Sequence, residues 1–550
     1  MTGSDPHPTE VTETDPPAFS HREILRIIWA LLLCLFVSSL SQTVIATALP
    51  TIVGDLGGQD QLAWVASAAL LTTTVSTPLW GKVSDLYGRK PLMQVAVWMF
   101  VLTSVGAGLA TNMGGLVAAR AAQGVAIGGV LAMSQAIMAD VVSPRERGRY
   151  SGYLGASFGV STVAGPLIGG FLVDGPGWRW CFYVGLPIAV VASVVLERTL
   201  RLPAVRRQTP IDWLGATFLT ASASSLLLVL SLAGNVFAWL SWWTAVLGAV
   251  FVVTLVGAVV VERRAAEPIL PPRLFKNPTF CLTGVAGFFV GFAMFGVMIY
   301  LPQYLQVVRG KSPTESGLLT LPLVFGMLVV GLLCGRAITR WGRWKIFPLV
   351  GLVLVAIGSA LLSTLDSETN LVALCVYMLL FGSGLGFTQQ VLVLAVQNTC
   401  ERRDLGIATS AATFFRSLGG AVGVALFGAI LSARITSAIP SLLAERGATV
   451  PSSDSSPRLG TPSEIAALPE PLRSAIREGF TLGLDTIYLL LVPLVLLAFL
   501  AVLAVKEVPL RGPGPVPVPD VTSVRTQPTP KRGSWSSQPG QDPGRVPTEH

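Results

Sequence analysis

Charged side chains are what this chain has least of: Asp, Glu, Lys and Arg make up 12% of its 550 residues, against 52% hydrophobic and a mean hydropathy of +0.65. A water-soluble fold could not hide that much apolar surface, so the composition excludes it and implies a multi-pass membrane protein. Histidine is nearly missing. The three present, His7, His21 and His550, fall outside the apolar runs, which leaves no imidazole for a metal or acid–base centre within them. Six cysteines (Cys34, Cys181, Cys281, Cys334, Cys375 and Cys400) show no C-x-x-C or pairing spacing and read as small apolar residues. A phosphate-binding G-x-x-x-x-G-K-[ST] loop is absent, which excludes ATP as the direct energy source. No set of acids, His and Cys has catalytic spacing, so an enzyme is not expected, and neither a cofactor nor a metal site is called for. The apolar runs also lack the period-2 alternation of barrel strands, and backbone groups in lipid must be satisfied internally, so the fold class is all-α.

What is there is a series of long apolar segments. They predict fourteen transmembrane helices, near 24–46, 62–81, 91–110, 115–138, 150–173, 181–198, 211–233, 239–260, 279–302, 316–338, 346–364, 371–393, 406–433 and 486–505. The net charge of +8 sits in alternate connections, such as Lys82/Arg89/Lys90, Arg145/Arg147/Arg149, Arg263/Arg264 and Arg336/Arg340/Arg343. The intervening connections near Gly57, Asn112, Gly234 and Asp366 carry almost none. This is a positive-inside pattern and not a nucleic-acid surface; it predicts a cell (plasma) membrane protein with both termini cytoplasmic. The expected organisation is a cytoplasmic segment 1–23, a six-helix half 24–198, two extra linker helices 211–260, and a second half 279–505. That second half contains an outer loop at 434–485, and a proline-rich, disordered cytoplasmic tail follows at 506–550. The polar first twenty residues do not read as a cleaved signal peptide.

Two basic turns share a spacing. Gly81-Lys-Val-Ser-Asp85-Leu-Tyr-Gly88-Arg89-Lys90-Pro91 overlays Gly335-Arg-Ala-Ile-Thr-Arg-Trp-Gly342-Arg343-Trp-Lys345, with Thr339 facing Asp85. A helix-turn-helix repeated in two halves is how many carriers surround a central path. Two arginines, Arg120 and Arg416, fall inside apolar spans; a buried cation needs a partner or a wet cavity, although Arg120 is near enough to a span end to snorkel. Glycines at Gly155, Gly159, Gly165 and Gly169 recur along one face of the fifth span, so a second helix can approach, and Pro166 adds a bend.

The first turn resembles motif A of the major facilitator superfamily. Arg120-Ala-Ala-Gln123-Gly124 through Gly129 resembles its motif B, and Gly159 through Gly165-Pro166 to Gly169-Gly170 resembles the motif C of drug:proton antiporters. Trp178-Arg179-Trp180, Ile211-Asp212-Trp213-Leu214-Gly215, Tyr300-Leu-Pro302-Gln303-Tyr304-Leu-Gln306 and Ser316-Gly317 are similar to the 14-helix EmrB/QacA-type subgroup, over about residues 24–505. The resemblance implies that Gly81, Asp85, Gly88, Arg89 and Lys90 gate the inward–outward switch. It also implies that Arg120 serves proton coupling and that the helix of Gly159, Gly165, Pro166, Gly169 and Gly170 biases direction toward export. Ser41 stands where the subgroup commonly has an acid, and Gly185 where asparagine is usual. A serine carries no proton and neutralises no cation, so the proton-carrying acid is left open. Asp85, Asp140 and Asp174, near span ends, are candidates beside their reading as caps or ion pairs, and no Asp, Glu or His falls deep in an expected span. A requirement for strongly cationic substrates is weakened accordingly. Gln42, Thr43, Thr72, Thr73, Gln135, Gln303, Gln306, Gln389, Gln390, Gln397 and Arg416 are candidates for a large, weakly polar cavity; each side chain could equally hold two helices together.

The resulting expectation is a proton-driven exporter of drugs or antibiotics, with the proton as coupling ion, small hydrophobic or amphipathic solutes and membrane lipid as partners, and a monomer as the working unit. Export of an endogenous lipid, siderophore or secondary metabolite, or a receptor that moves no solute, stay open as alternatives.

Overall fold

The computed structural model describes residues 21–56, 62–142, 144–200, 212–232, 237, 240–265, 268–366, 368–401, 404–445 and 468–509. Within them the chain is all-α. The helices are α1 His21–Leu56, α2 Leu62–Tyr87, α3 Arg89–Gly108, α4 Met113–Val141, α5 Pro144–Asp174, α6 Trp180–Tyr183, α7 Leu186–Thr199, α8 Trp213–Leu232 and α9 Trp242–Arg264. They continue as α10 Pro272–Phe275, α11 Pro278–Val307, α12 Pro313–Leu319, α13 Leu321–Trp341, α14 Ile346–Leu362, α15 Leu371–Thr399, α16 Leu405–Glu445 and α17 Glu470–Ala504. Eleven helical stretches are long and apolar enough to cross a membrane, α6–α7 and α12–α13 each counting as one; α14 and Gly159–Val173 of α5 are shorter apolar helices. With α2, whose hydroxyls at Thr72, Thr73, Thr74, Ser76 and Thr77 dilute its apolar character, the order agrees with the fourteen helices expected.

The helices start where side chains can take orphan backbone amides. Asn112 accepts from Gly115 N, Asn277 from Thr279 N and Asn370 from Val372 N, while Ser312 and Glu315 form a reciprocal capping box. The two repeated turns reverse on glycines with positive φ, 91° at Gly88 and 70° at Gly342, so the sequence repeat is also a conformational one. Each half has its own core. One gathers Met93, Phe100, Ile127 and Met133 with α1; the other gathers Phe292, Phe381, Phe427 and Tyr488.

The halves meet mainly along two helix pairs, α2 with α16 and α5 with α13, with α4 and α15 adding to the contact. On α16, Phe414 clusters with Val75 of α2 and Ala223 of α8, so the first linker helix lies over that seam. The second, α9, turns Val252, Val253, Val256 and Val260 outward, as a lipid-facing helix does.

Three expected boundaries are corrected. The first turn is shorter than Gly81–Pro91, because helix α2 continues to Tyr87 and only Gly88 breaks it. The described ends of the outer loop 434–485 are helical: α16 runs to Glu445 and α17 begins at Glu470. Ile435, Ile439, Leu442, Ile476, Phe480 and Leu484 continue the apolar spacing and join the core, so the two helices brace each other beyond membrane length. The tail does not part from the fold at 506, since Glu507 Oε1 accepts from the amides of Trp344 (3.0 Å) and Lys345 (3.3 Å), and Val508 O accepts from Trp344 Nε1. Residues 510–550 and the first twenty residues lie outside the described set, as do 446–467.

Candidate functional site

At the basic end of the bundle, Arg89 opens α3 directly after the Gly88 reversal, which aims its guanidinium back at α2 and α4. It lies 3.3 Å from Asp85 Oδ1 and 2.6 Å from Asp140 Oδ2, and also donates to Ala136 O. One arginine thus ties the ends of α2, α3 and α4. Asp85 faces across the seam: a Cβ built on Gly406 would fall 2.8 Å from its Oδ2, and the Ile407 amide is directed at the carboxylate. The carboxylate therefore sits on the first turn of α16, where unpaired amides give a partial positive charge. Gly81 completes the closure, since a Cβ there would lie 2.6 Å from Ser410 Cβ. Lys90 stays within the first half, bonding Glu197 O at 2.7 Å.

The second copy of the turn is tied differently. Thr339 hydrogen-bonds Gly335 O on its own helix, and the turn is held by Glu507 instead. Its equivalence to motif A is architectural, and the charged contact across the seam belongs to the first copy.

Arg120 is 2% exposed, which overturns snorkelling. Its Nε donates to Val65 O at 3.2 Å and its Nη1 to Gln123 Oε1 at 2.5 Å; Gln123 in turn donates to Ser104 Oγ at 2.6 Å. Motif B is a three-residue chain joining α2, α4 and α3. Its glycines let α2 in: a Cβ on Gly128 would fall 2.8 Å from Thr73 O, and one on Gly129 2.7 Å from the Trp80 ring.

On α5, Gly159 approaches α13, with a hypothetical Cβ 2.7 Å from Val324 Cγ1, and Gly165 lies against Thr43 of α1. The motif C helix is therefore pressed between a helix of its own half and one of the other. Gly170 has open space around it and makes no close approach; Gly169 is buried, and the side chains of Pro166 and Asp174 lie outside the described set. Gly165→Val is expected to abolish accumulation of folded protein, because the added branch meets the Thr43 side chain and a backbone carbon 3.0 Å away. Membrane-fraction yield and thermal unfolding check it, with Thr43→Ala expected to restore only part of the loss.

The expected cavity side chains separate into stitches and linings. Thr43 donates to Ser161 O at 3.0 Å, Thr72 to Ala121 O at 2.7 Å, Thr73 to Gly124 O at 3.0 Å, and Gln397 to Thr409 at 3.2 Å. Those four hold helices together. Gln303 is exposed, Gln42 and Gln306 are half-buried, and Gln135 is buried with Oε1 unpartnered. Gln389 and Arg416 come together in one cavity between α11, α15 and α16, whereas Gln390 lines a separate one between α13 and α15. Ser41 is 7% exposed and its hydroxyl has no partner.

An acid expected in the outer loop lies on a helix instead: Asp485 of α17 has a buried Oδ1 with no hydrogen bond among the described residues and shares its surroundings with Tyr304 and Tyr488. It was legible. Ile476, Phe480, Leu484, Ile487 and Leu491 carry the helical period straight through position 485, so placing it in a loop missed it. A second group unseen in sequence joins the segment after α9 to the end of α2. Glu262 accepts from Leu270 N at 3.1 Å and sits near both Asp212, which caps α8, and the buried Lys82 of α2.

Two helical halves that close on each other through glycine-lined seams have the architecture of a carrier. The sequence profile of the Major Facilitator Superfamily matches residues 31–424, and the chain belongs to that family. It is 38% identical over 493 residues to an MFS-type transporter of Mycobacterium tuberculosis, covering 88% of this chain and 70% of that one. It is 32% identical over 479 residues to Multidrug resistance protein 3 of Bacillus subtilis, covering 86% and 93%. Among solved structures it resembles the human organic anion transporter MFSD10 in fold, with a TM-score of 0.61 at 15% identity over 87% of this chain and 99% of that one.

Proposed function

We propose that this protein is a proton-motive-force-driven exporter of hydrophobic and amphipathic solutes, drugs and antibiotics among them. It works by alternating access as a monomer in the cell membrane, with the basic end and both termini in the cytoplasm. The observation that carries the reading is the Asp85–Arg89–Asp140 cluster set against the first turn of α16. It is a charged contact between the halves that can break and re-form as they rock, at the end where the basic residues lie. Relatives named for multidrug resistance support the solute class. Export of an endogenous lipid, siderophore or secondary metabolite fits the same seams and is separated by which solute moves.

The test is proton movement across energised inside-out vesicles on adding neutral and cationic hydrophobic dyes in parallel. Proton movement tied to dye uptake is the expected result. Dye uptake without it would reduce the protein to a facilitator, and dye binding without uptake would make it a receptor.

A further inference from the structure

Arg416 is a half-buried charge whose guanidinium reaches an internal cavity. It lies about three turns into α16, its Nη1 is buried with no hydrogen-bond partner among the described residues, and it lines the cavity between α11, α15 and α16. No acid comes near it from those helices. In α11 (278–307) and α15 (371–399) there is neither Asp nor Glu, and the one acid of α16, Glu445, is at its far end. The backbone around it is fixed, since a Cβ on Gly291 of α11 would fall 2.8 Å from the Arg416 carbonyl carbon. The root of the side chain is thus held in place while the guanidinium has a buried donor left over, the state in which a buried group costs most.

The cavity wall has two chemistries. Thr283 and Gln389 are polar, while Val290, Leu392 and Val393 are aliphatic. As it stands the space holds on the order of one water molecule, so a carboxylate and the organic body behind it are admitted only as the path widens when the halves part. The other half reinforces the sign. Arg120 is also buried, and its hydrogen bonds go to the neutral Val65 carbonyl and Gln123 amide, with no ion pair among the described residues. An interior that presents two guanidinium groups without an ion pair among the described residues repels cations and favours anions.

We propose that this cavity receives the carboxylate of amphipathic organic acids, with Arg416 as the counter-ion and Thr283 and Gln389 flanking it. A planar guanidinium suits a carboxylate because two parallel N–H···O bonds can form, and the aliphatic wall takes the adjoining carbon chain. The proposal names the solute class of the exporter and rests on that reading for its physiological meaning, though the site itself does not depend on transport.

The experiment is equilibrium binding of 1-pyrenebutyrate and its neutral amide, 1-pyrenebutanamide, to the full-length protein in nanodiscs. The acid is expected to bind at least about tenfold tighter, the ratio one charge-assisted hydrogen bond supports. Arg416→Gln is expected to erase the preference while leaving amide binding and the unfolding midpoint in place, and Arg416→Lys to keep part of it. Should Arg416→Gln fail to fold, Val393→Glu, which puts a carboxylate into the same cavity, is expected to remove the preference instead. Equal affinity of acid and amide in the unaltered protein, or a preference that survives Arg416→Gln, overturns the proposal. Failure of the exporter reading would show differently: neither pyrene compound would accumulate in vesicles, yet the acid would still outbind the amide in nanodiscs.

Discussion

Asp85→Asn is expected to lower transport at least about tenfold with membrane insertion and helix content unchanged, because it removes one charge from a contact that only one conformation makes. Asparagine keeps the shape that fits over Gly406, so the packing of α2 on α16 survives. What goes is the attraction to Arg89, 3.3 Å away, and to the positive first turn of α16. Arg89 keeps Asp140 at 2.6 Å, so the first half stays intact and the loss falls on the seam. A charged hydrogen bond contributes about 1.5–3 kcal/mol, enough to tilt a two-state equilibrium by roughly ten- to a hundredfold. The readout is paired: solute flux, and maleimide labelling of a cysteine placed at Ser410, which this closure covers. Reduced flux with faster labelling is the expected pair. Normal flux at normal expression would leave Asp85 as a static anchor.

The sequence spelled out the bundle because each span must carry its own apolar surface, and the local run is the information. It was less informative at helix ends. The apolar period of α16 and α17 continues past membrane length, and reading Ser and Pro content over 434–485 as loop hid both the extension and Asp485. Glycines told more. The spacing marks Gly159 and Gly165 as places of close approach and Gly81 as part of a tight turn, and a side chain at any of the three would strike a neighbouring helix. What they meet was not legible, because the partner of Asp85 lies on a helix more than three hundred residues away and nothing local encodes that pairing. Polar side chains misled for a related reason. A threonine in an apolar span can line a cavity or bond a neighbouring carbonyl, and only the packed structure separates Thr43, Thr72 and Thr73, which bond carbonyls, from Gln389, which lines a cavity.

Arg120 carries the other large prediction: Arg120→Lys and Arg120→Gln are both expected to reduce proton-coupled flux by about tenfold or more, while downhill flux of solute persists. The lysine variant decides the cause. Charge alone is kept by lysine, but Arg120 uses two separate nitrogens, Nε on Val65 O at 3.2 Å and Nη1 on Gln123 Oε1 at 2.5 Å, and a single ammonium on a flexible stem cannot reproduce that fork. Losing it frees the start of α2 from α4 and leaves Gln123, fully buried, without the donor that orients it toward Ser104. If Arg120 acted only through its charge, lysine would restore coupling and Gln123→Leu would leave it intact. If the fork is what matters, Gln123→Leu should share the defect, and combining it with Arg120→Lys should add little, because both remove the same link. Counting protons moved per solute in the four proteins separates the two cases, and a lysine variant with normal coupling would confine motif B to electrostatics.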